Sequence, residues 1–173
     1  MQNGRRETSG RFFGTTQMTT MRQYQPDDLQ VLIDLFRRSV REIARRDYSP
    51  EQTQAWAPEV IDEQLWSDML SSQKTWIAQE NGVAMGFISL KMDGCVDLLF
   101  VHPNHEMRGV ASAMLSHTET QAQAMGIARL YAQVSITASR LLLKRGFRIV
   151  REMAVERRGQ TFQNYRMEKE LGA

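Results

Sequence analysis

A chain of 173 residues with 42% hydrophobic and 24% charged residues has the makings of one globular domain with a real core. Its apolar runs fall short of the roughly 20 residues a membrane helix needs. The net charge of +2 is too small to argue for nucleic acid, and the single cysteine, Cys95, excludes an internal disulfide framework, so a reducing cytoplasm is expected.

Residues 1–20, "MQNGRRETSGRFFGTTQMTT", have no periodicity and too weak an apolar core for a secretory signal; an irregular extension is expected there, with a single domain over 21–173. "MRQYQPDD" reads as a short strand entering a helix at Pro26. Leu32, Leu35, Phe36, Val40 and Ile43 then recur at helical spacing through about residue 46. The arginines on this helix (Arg37, Arg38, Arg41, Arg45, Arg46) share a solvated face. Ser49, Pro50 and Gln52 make a capping box for a second helix that closes at Pro58. A third spans "EVIDEQLWSDMLSS", with Ile61, Leu65, Trp66 and Met69 inward.

Three strand-like runs follow, "TWIAQENG", "VAMGFISLKMDG" and "CVDLLFVHP", punctuated by Asn81-Gly82 and Asp93-Gly94, so antiparallel neighbours are expected. After Gly109 comes a helix to about Met125, then a strand over "ARLYAQVSI" and a short helix over "ASRLLLKRG". Two last strands turn at Arg158-Gly159. Strands and helices in this order imply an α/β or α+β domain, a mixed sheet with helices on both faces.

The stretch "LLFVHPNHEMRGVASAML" carries the chemistry. Amides at a helix start have no intrahelical partner, and with the helix dipole they favour an anion. The donors here are the amides of Met107, Arg108, Gly109, Val110 and Ala111, with the Arg108 charge and the Ser112 hydroxyl beside them. A pyrophosphate is the natural guest. No Gly-Lys-Ser/Thr follows, so this is not a Walker loop, and a dinucleotide fingerprint would need an earlier glycine.

Val101-His102-Pro103 followed by Glu106-Met107-Arg108-Gly109-Val110-Ala111, with "NGVAMGFISL" upstream and "ASRLLLKRGF" downstream, resembles the GNAT superfamily of acyl-coenzyme A-dependent N-acetyltransferases over residues 22–171. "SVREIARRDYSPEQTQAWA" and "RRGQTFQNYRMEKEL" are similar to a bacterial subgroup of such enzymes. The resemblance implies a mostly antiparallel seven-stranded sheet splayed between strands 4 and 5, with acetyl-CoA as co-substrate. Its pyrophosphate would lie on the loop before Gly109 and its pantetheine arm along Leu99, Phe100 and Val101. An amide near Phe100 or Val101 would serve the oxyanion, and Ser135 stands where many relatives have asparagine.

Strand alternation puts Cys95, Asp97, Leu99 and Val101 on one face, with Asp97 the only carboxylate among them. A carboxylate there can take the amine proton through a water, orient the substrate, or serve the sheet; catalysis is the role assigned to Asp97. Tyr48, Trp56, Cys95 and Tyr165 are candidate substrate contacts. Two departures stand out: Leu142 replaces a tyrosine that acts as general acid in many relatives, with Ser139 as a stand-in, and Glu106 replaces Gln or Arg beside the diphosphate. The three histidines, His102, His105 and His117, match no metal-ligand spacing. The expected acceptor is the primary amine of a small molecule. A non-catalytic acyl-CoA-binding module, acetylation of a protein or aminoacyl-tRNA, and a homodimer stay open.

Overall fold

The computed structural model describes residues 18–172, so residues 1–17 of the expected N-terminal extension lie outside the described part. Among the described residues, seven strands form two sheets. The first is an antiparallel meander of β1 (Thr20–Gln23), β2 (Lys74–Glu80), β3 (Val83–Leu90) and β4 (Val96–Val101). The second comprises β5 (Arg129–Ser135), β6 (Arg148–Arg157) and β7 (Gln160–Glu170), in the order β5-β7-β6. A single parallel bridge, Cys95 to Tyr131, joins them. The splay expected between strands 4 and 5 is thus a full parting of the two sheets beyond that bridge.

Two of the expected turns are tight. Glu80 pairs Val83 across Asn81-Gly82, and Arg157 pairs Gln160 across Arg158-Gly159, each turn with both central residues at positive φ. The β3–β4 connection is longer: Gly94 N–H bonds Lys91 O at 3.0 Å, and Tyr131 N–H reaches Gly94 O at 3.0 Å. A Cβ on Gly94 would lie 2.3 Å from Arg129 O, so only glycine lets β4 and β5 approach closely at the pivot from which they diverge.

Helices cover both faces. On one, α4 (Val110–Ala124) and α5 (Ile136–Lys144) pack Met114, Leu115, Ala122 and Leu142 onto Met85, Ile88, Leu130 and Ala132. On the other, α1 (Leu29–Arg38) and α3 (Glu63–Ser72) close a second core of Leu32, Leu35, Phe36, Leu70, Ile77 and Phe87. Between them α2 (Pro50–Trp56) starts on the predicted capping box, with Gln52 N–H bonding Ser49 Oγ at 3.1 Å and Ser49 N–H bonding Gln52 Oε1 at 2.8 Å.

Three expectations are corrected. The first helix does not run unbroken to residue 46: a π turn over Ser39–Ile43 and a 3₁₀ turn over Ala44–Arg46 follow α1, keeping Ser39, Val40 and Ala44 buried while the chain bends toward α2. At α3, Ile61 and Trp66 pack against the second core as expected and Met69 is partly buried, but Leu70 is the fully buried residue and Leu65 is 62% exposed. The face assignment on β4 fails for a sharper reason. Leu90 pairs Val96 while Ser89 pairs Leu98, so Asp97 is the extra residue of a β-bulge. Val96 therefore joins Leu99 and Val101 on the α4 side, and Leu98 and Phe100 face α1 and α3.

Tyr48 locks the two halves together. Its hydroxyl donates to Gln163 O at 2.7 Å and accepts from Ile136 N–H at 2.9 Å, inside a cluster with Ala44, Ala55 and Phe162. Tyr48→Phe leaves both backbone groups without that partner, so a loss of about 1–3 kcal/mol is expected in denaturant unfolding. An unchanged midpoint would contradict the brace.

Candidate active site

The turn before α4 presents a run of free donors. Gly109, at φ +77°, stands at the N-cap without a side-chain cap, and Met107 is also left-handed at φ +60°. Among the described residues, no protein acceptor bonds the amides of Met107, Arg108, Gly109, Val110, Ala111 or Ser112; the first bond of the helix is Ala113 N–H to Gly109 O at 3.0 Å. Left-handed Met107 and Gly109, on either side of Arg108, turn these N–H groups into a concave nest, and the dipole of a 15-residue helix adds to its field. Met107 is 94% exposed, so the turn is open to solvent.

The charges around the turn are tied down. Glu106, the unexpected acid, is gripped by both terminal nitrogens of Arg46, which removes much of its repulsion for a bound anion. Arg108 reaches Glu80 at 3.2 Å and His105 Nδ1 at 2.9 Å. Two arginines of the α1 segment are also engaged: Arg38 with Glu42 at 2.8 Å, and Arg41 with Glu59 at 2.7 Å.

From this turn the open edge of β4 leads into the parting of the sheets. Past Cys95 that edge has no strand partner, so backbone donors and acceptors on it are free to pair with an extended ligand. The space between β4 and β5 widens into a cavity of about 470 Å³. Phe36, Trp56, Trp66 and Phe162 supply aromatic walls, and Leu99, Phe100 and Ser135 line the split itself.

Asp97 lines the cavity, put there by the bulge. Its Oδ1 accepts from Lys91 Nζ at 2.9 Å and its Oδ2 from Gln73 Nε2 at 2.7 Å. Held at both oxygens, the carboxylate keeps a fixed orientation and spare lone pairs.

The other candidates scatter. Of Tyr48, Trp56, Cys95 and Tyr165, Trp56 lines the cavity and the other three do not. Tyr48 is the buried brace described above. Tyr165, on β7, accepts from Gln163 Nε2 at 3.1 Å. Cys95 is half-buried at the bridge, and burial pushes its thiol pKa up, with Asp97 adding to the effect, so little thiolate is present near neutral pH. Ser135 Oγ caps α5 through Ala138 N–H at 3.1 Å while bordering the cavity. Leu142 is fully buried and lines the cavity floor, and Ser139 is no substitute acid: its hydroxyl donates to Ile136 O at 2.7 Å.

Sequence reasoning missed Arg157, Gln133 and Asn164, all in the cavity wall. The strand pattern placed them on their strands, but only the parting of β5 from β4 brings Gln133 to this space, and only the packing of the β6–β7 hairpin near α2 brings Arg157 and Asn164.

Comparison with known proteins fits this geometry. Residues 44–169 match the family model described as an acetyltransferase (GNAT) domain. The chain is 39% identical over 150 residues to the uncharacterized N-acetyltransferase YafP of Escherichia coli strain K12, covering 85% of this chain and 93% of that one. A GCN5-related N-acetyltransferase structure from Rhodopseudomonas palustris superimposes with a TM-score of 0.86 at 33% identity, covering 91% of this chain and 99% of that one. The PaiA N-acetyltransferase of Thermoplasma acidophilum, solved with coenzyme A, shares the fold at 19% identity, with a TM-score of 0.72 over 88% of this chain and 99% of that one. A split sheet whose open edge runs from a nest of free amides into a walled cavity, together with these relatives, leads to one conclusion: the chain belongs to the acetyltransferase (GNAT) family.

Proposed function

We propose that this acyltransferase moves the acetyl group of acetyl-CoA onto the primary amine of a small molecule by direct attack. The observation that carries the reading is the unpaired edge of β4, which joins the free amides of Met107–Ser112 to a cavity holding a fixed carboxylate.

The diphosphate of the coenzyme rests on that nest, and the pantetheine arm pairs with β4 along Leu99–Val101. This delivers the thioester to the split. The amine nitrogen attacks the thioester carbonyl carbon, and the C–S bond breaks. A free alkylamine has a pKa of about 10, so the attacking form must shed a proton; Asp97 takes it through a water. The backbone N–H of Val101, which alternates away from the His102 N–H that bonds Met85 O on β3, lies on the open edge and faces the developing oxyanion. Leu142 donates nothing, so coenzyme A leaves as thiolate, tolerable for a thiol with a pKa near 8.5. A cavity of about 470 Å³ suits a small acceptor. Of the five arginines on the α1 segment, Arg38, Arg41 and Arg46 pair with acids of the same chain, which lowers the free charge available to a nucleic-acid partner.

Thiol release on a panel of small amines tests the reading. Acceptor-dependent release with matching N-acetyl product is expected; tight coenzyme binding with no acceptor-dependent turnover would overturn it. Direct attack also predicts that acetyl-CoA alone leaves no acetylated protein by intact mass. An acetyl adduct on Cys95 would contradict that, and would be unexpected for a thiol whose pKa burial has raised.

A further inference from the structure

The charged groups of the cavity wall do not balance within the protein. Of its two carboxylates, Asp62 is spent as the cap of α3, accepting from Leu65 N–H at 3.0 Å, and Asp97 is neutralised by Lys91. Of its two guanidinium groups, Arg158 donates to the neutral carbonyl of Ala55 at 2.6 Å, and Arg157 makes no hydrogen bond or ion pair among the described residues. Arg157 sits at the last position of β6, paired with Gln160, so a tight hairpin fixes its backbone. Counted by area it is an exposed residue, yet its charged end is crowded by protein atoms, which pushes its pKa down. The neighbouring Arg158 charge pushes the same way, and Asp97 opposes both from beyond ion-pair distance.

A guanidinium stays protonated in proteins, so Arg157 is a charge in want of an anion rather than a titrating group. Its planar fork matches a carboxylate at two points. The coenzyme's own phosphates are not the missing anion, because none of the residues Met107–Ser112 borders this cavity. The space around Arg157 belongs to the acceptor.

We infer that the acceptor is an amine that also carries a carboxylate, which Arg157 binds while the amino end lies toward Asp97 and the thioester. This inference rests on the proposed acetyl transfer and names its substrate class. The aromatic walls contributed by Trp56, Trp66 and Phe162 suit an apolar body between the two polar ends.

The test uses amines in pairs that differ only in that charge: phenylalanine, leucine, β-alanine and γ-aminobutyrate, each against its own carboxamide. For the best-used pair, kcat/KM is expected to favour the acid by about tenfold or more in the wild type, and the ratio to fall to near one in Arg157→Gln. Because the ratio is taken within each protein, a loss of folded material cancels. A wild type that uses acid and amide equally, or a preference that survives Arg157→Gln, overturns the inference while acetyl transfer stands. Should no amine turn over, tryptophan fluorescence titration with the N-acetylated acids and amides still decides: tighter binding of the acids, abolished by Arg157→Gln, supports the carboxylate site, and equal binding refutes it.

Discussion

Asp97→Asn is expected to lower kcat by roughly 10²- to 10⁴-fold, the range by which a positioned base accelerates proton transfer, while acetyl-CoA affinity changes by less than about threefold. The substitution keeps the size and planarity of the side chain, and its amide oxygen can still accept from Gln73 Nε2, which now bonds Asp97 at 2.7 Å. What disappears is the negative charge and the basic lone pair. The lost pair with Lys91 is half-exposed on the lysine side and contributes at most about 1 kcal/mol, so the protein stays folded. A purely structural Asp97 would show a lowered Tm with kcat kept per folded molecule; that outcome contradicts the assigned role.

Gly109→Val should act on the other substrate, raising the Kd for acetyl-CoA roughly 5- to 30-fold in a calorimetric titration. At φ +77° a β-branched side chain is disfavoured by about 1–2 kcal/mol, and relief of that strain turns the neighbouring amides out of the nest. A Cβ on Gly109 meets no protein atom within 4 Å, so the fold does not suffer by crowding and the loss falls on the bound diphosphate. Gly109→Ala should show the same effect in smaller measure. Wild-type affinity in Gly109→Val would mean that the diphosphate sits elsewhere.

The sequence made the skeleton readable where local rules dominate. Asn81-Gly82 and Arg158-Gly159 are two-residue turns, Ser49 and Gln52 close their capping box, and Gly109 opens α4. Each of these depends on residues within a few positions of one another. Alternation failed at Asp97 because a bulge is a property of a strand pair: the period of two holds along β4 only until the register with β3 slips at Ser89/Leu90. The π turn after α1 is equally silent, since Val40 and Ile43 continue the helical spacing through it.

The site divided along the same line. The nest was legible because its donors are consecutive, whereas the acceptor cavity draws on α1, α2, α3, β4, β5, α5 and the β6–β7 hairpin. Nothing near Arg157 in the chain marks it as a cavity residue. Conversely, Tyr48 is a candidate substrate contact because it lies in the segment that, by resemblance, covers the acceptor pocket, and its hydroxyl is spent on Gln163 and Ile136. The fate of Glu106 also lay out of reach, since its partner Arg46 is 60 positions away.

The central claim is that free amides before and within the first turn of α4 hold a diphosphate and so feed a thioester into the split beside β4. Amide chemical shifts followed during titration with acetyl-CoA test it most directly. The account predicts large, saturable shifts for Met107–Ser112 and for Leu99–Val101, with β6 residues far from the split unmoved. Saturable binding that leaves the Met107–Ser112 amides unshifted would contradict it.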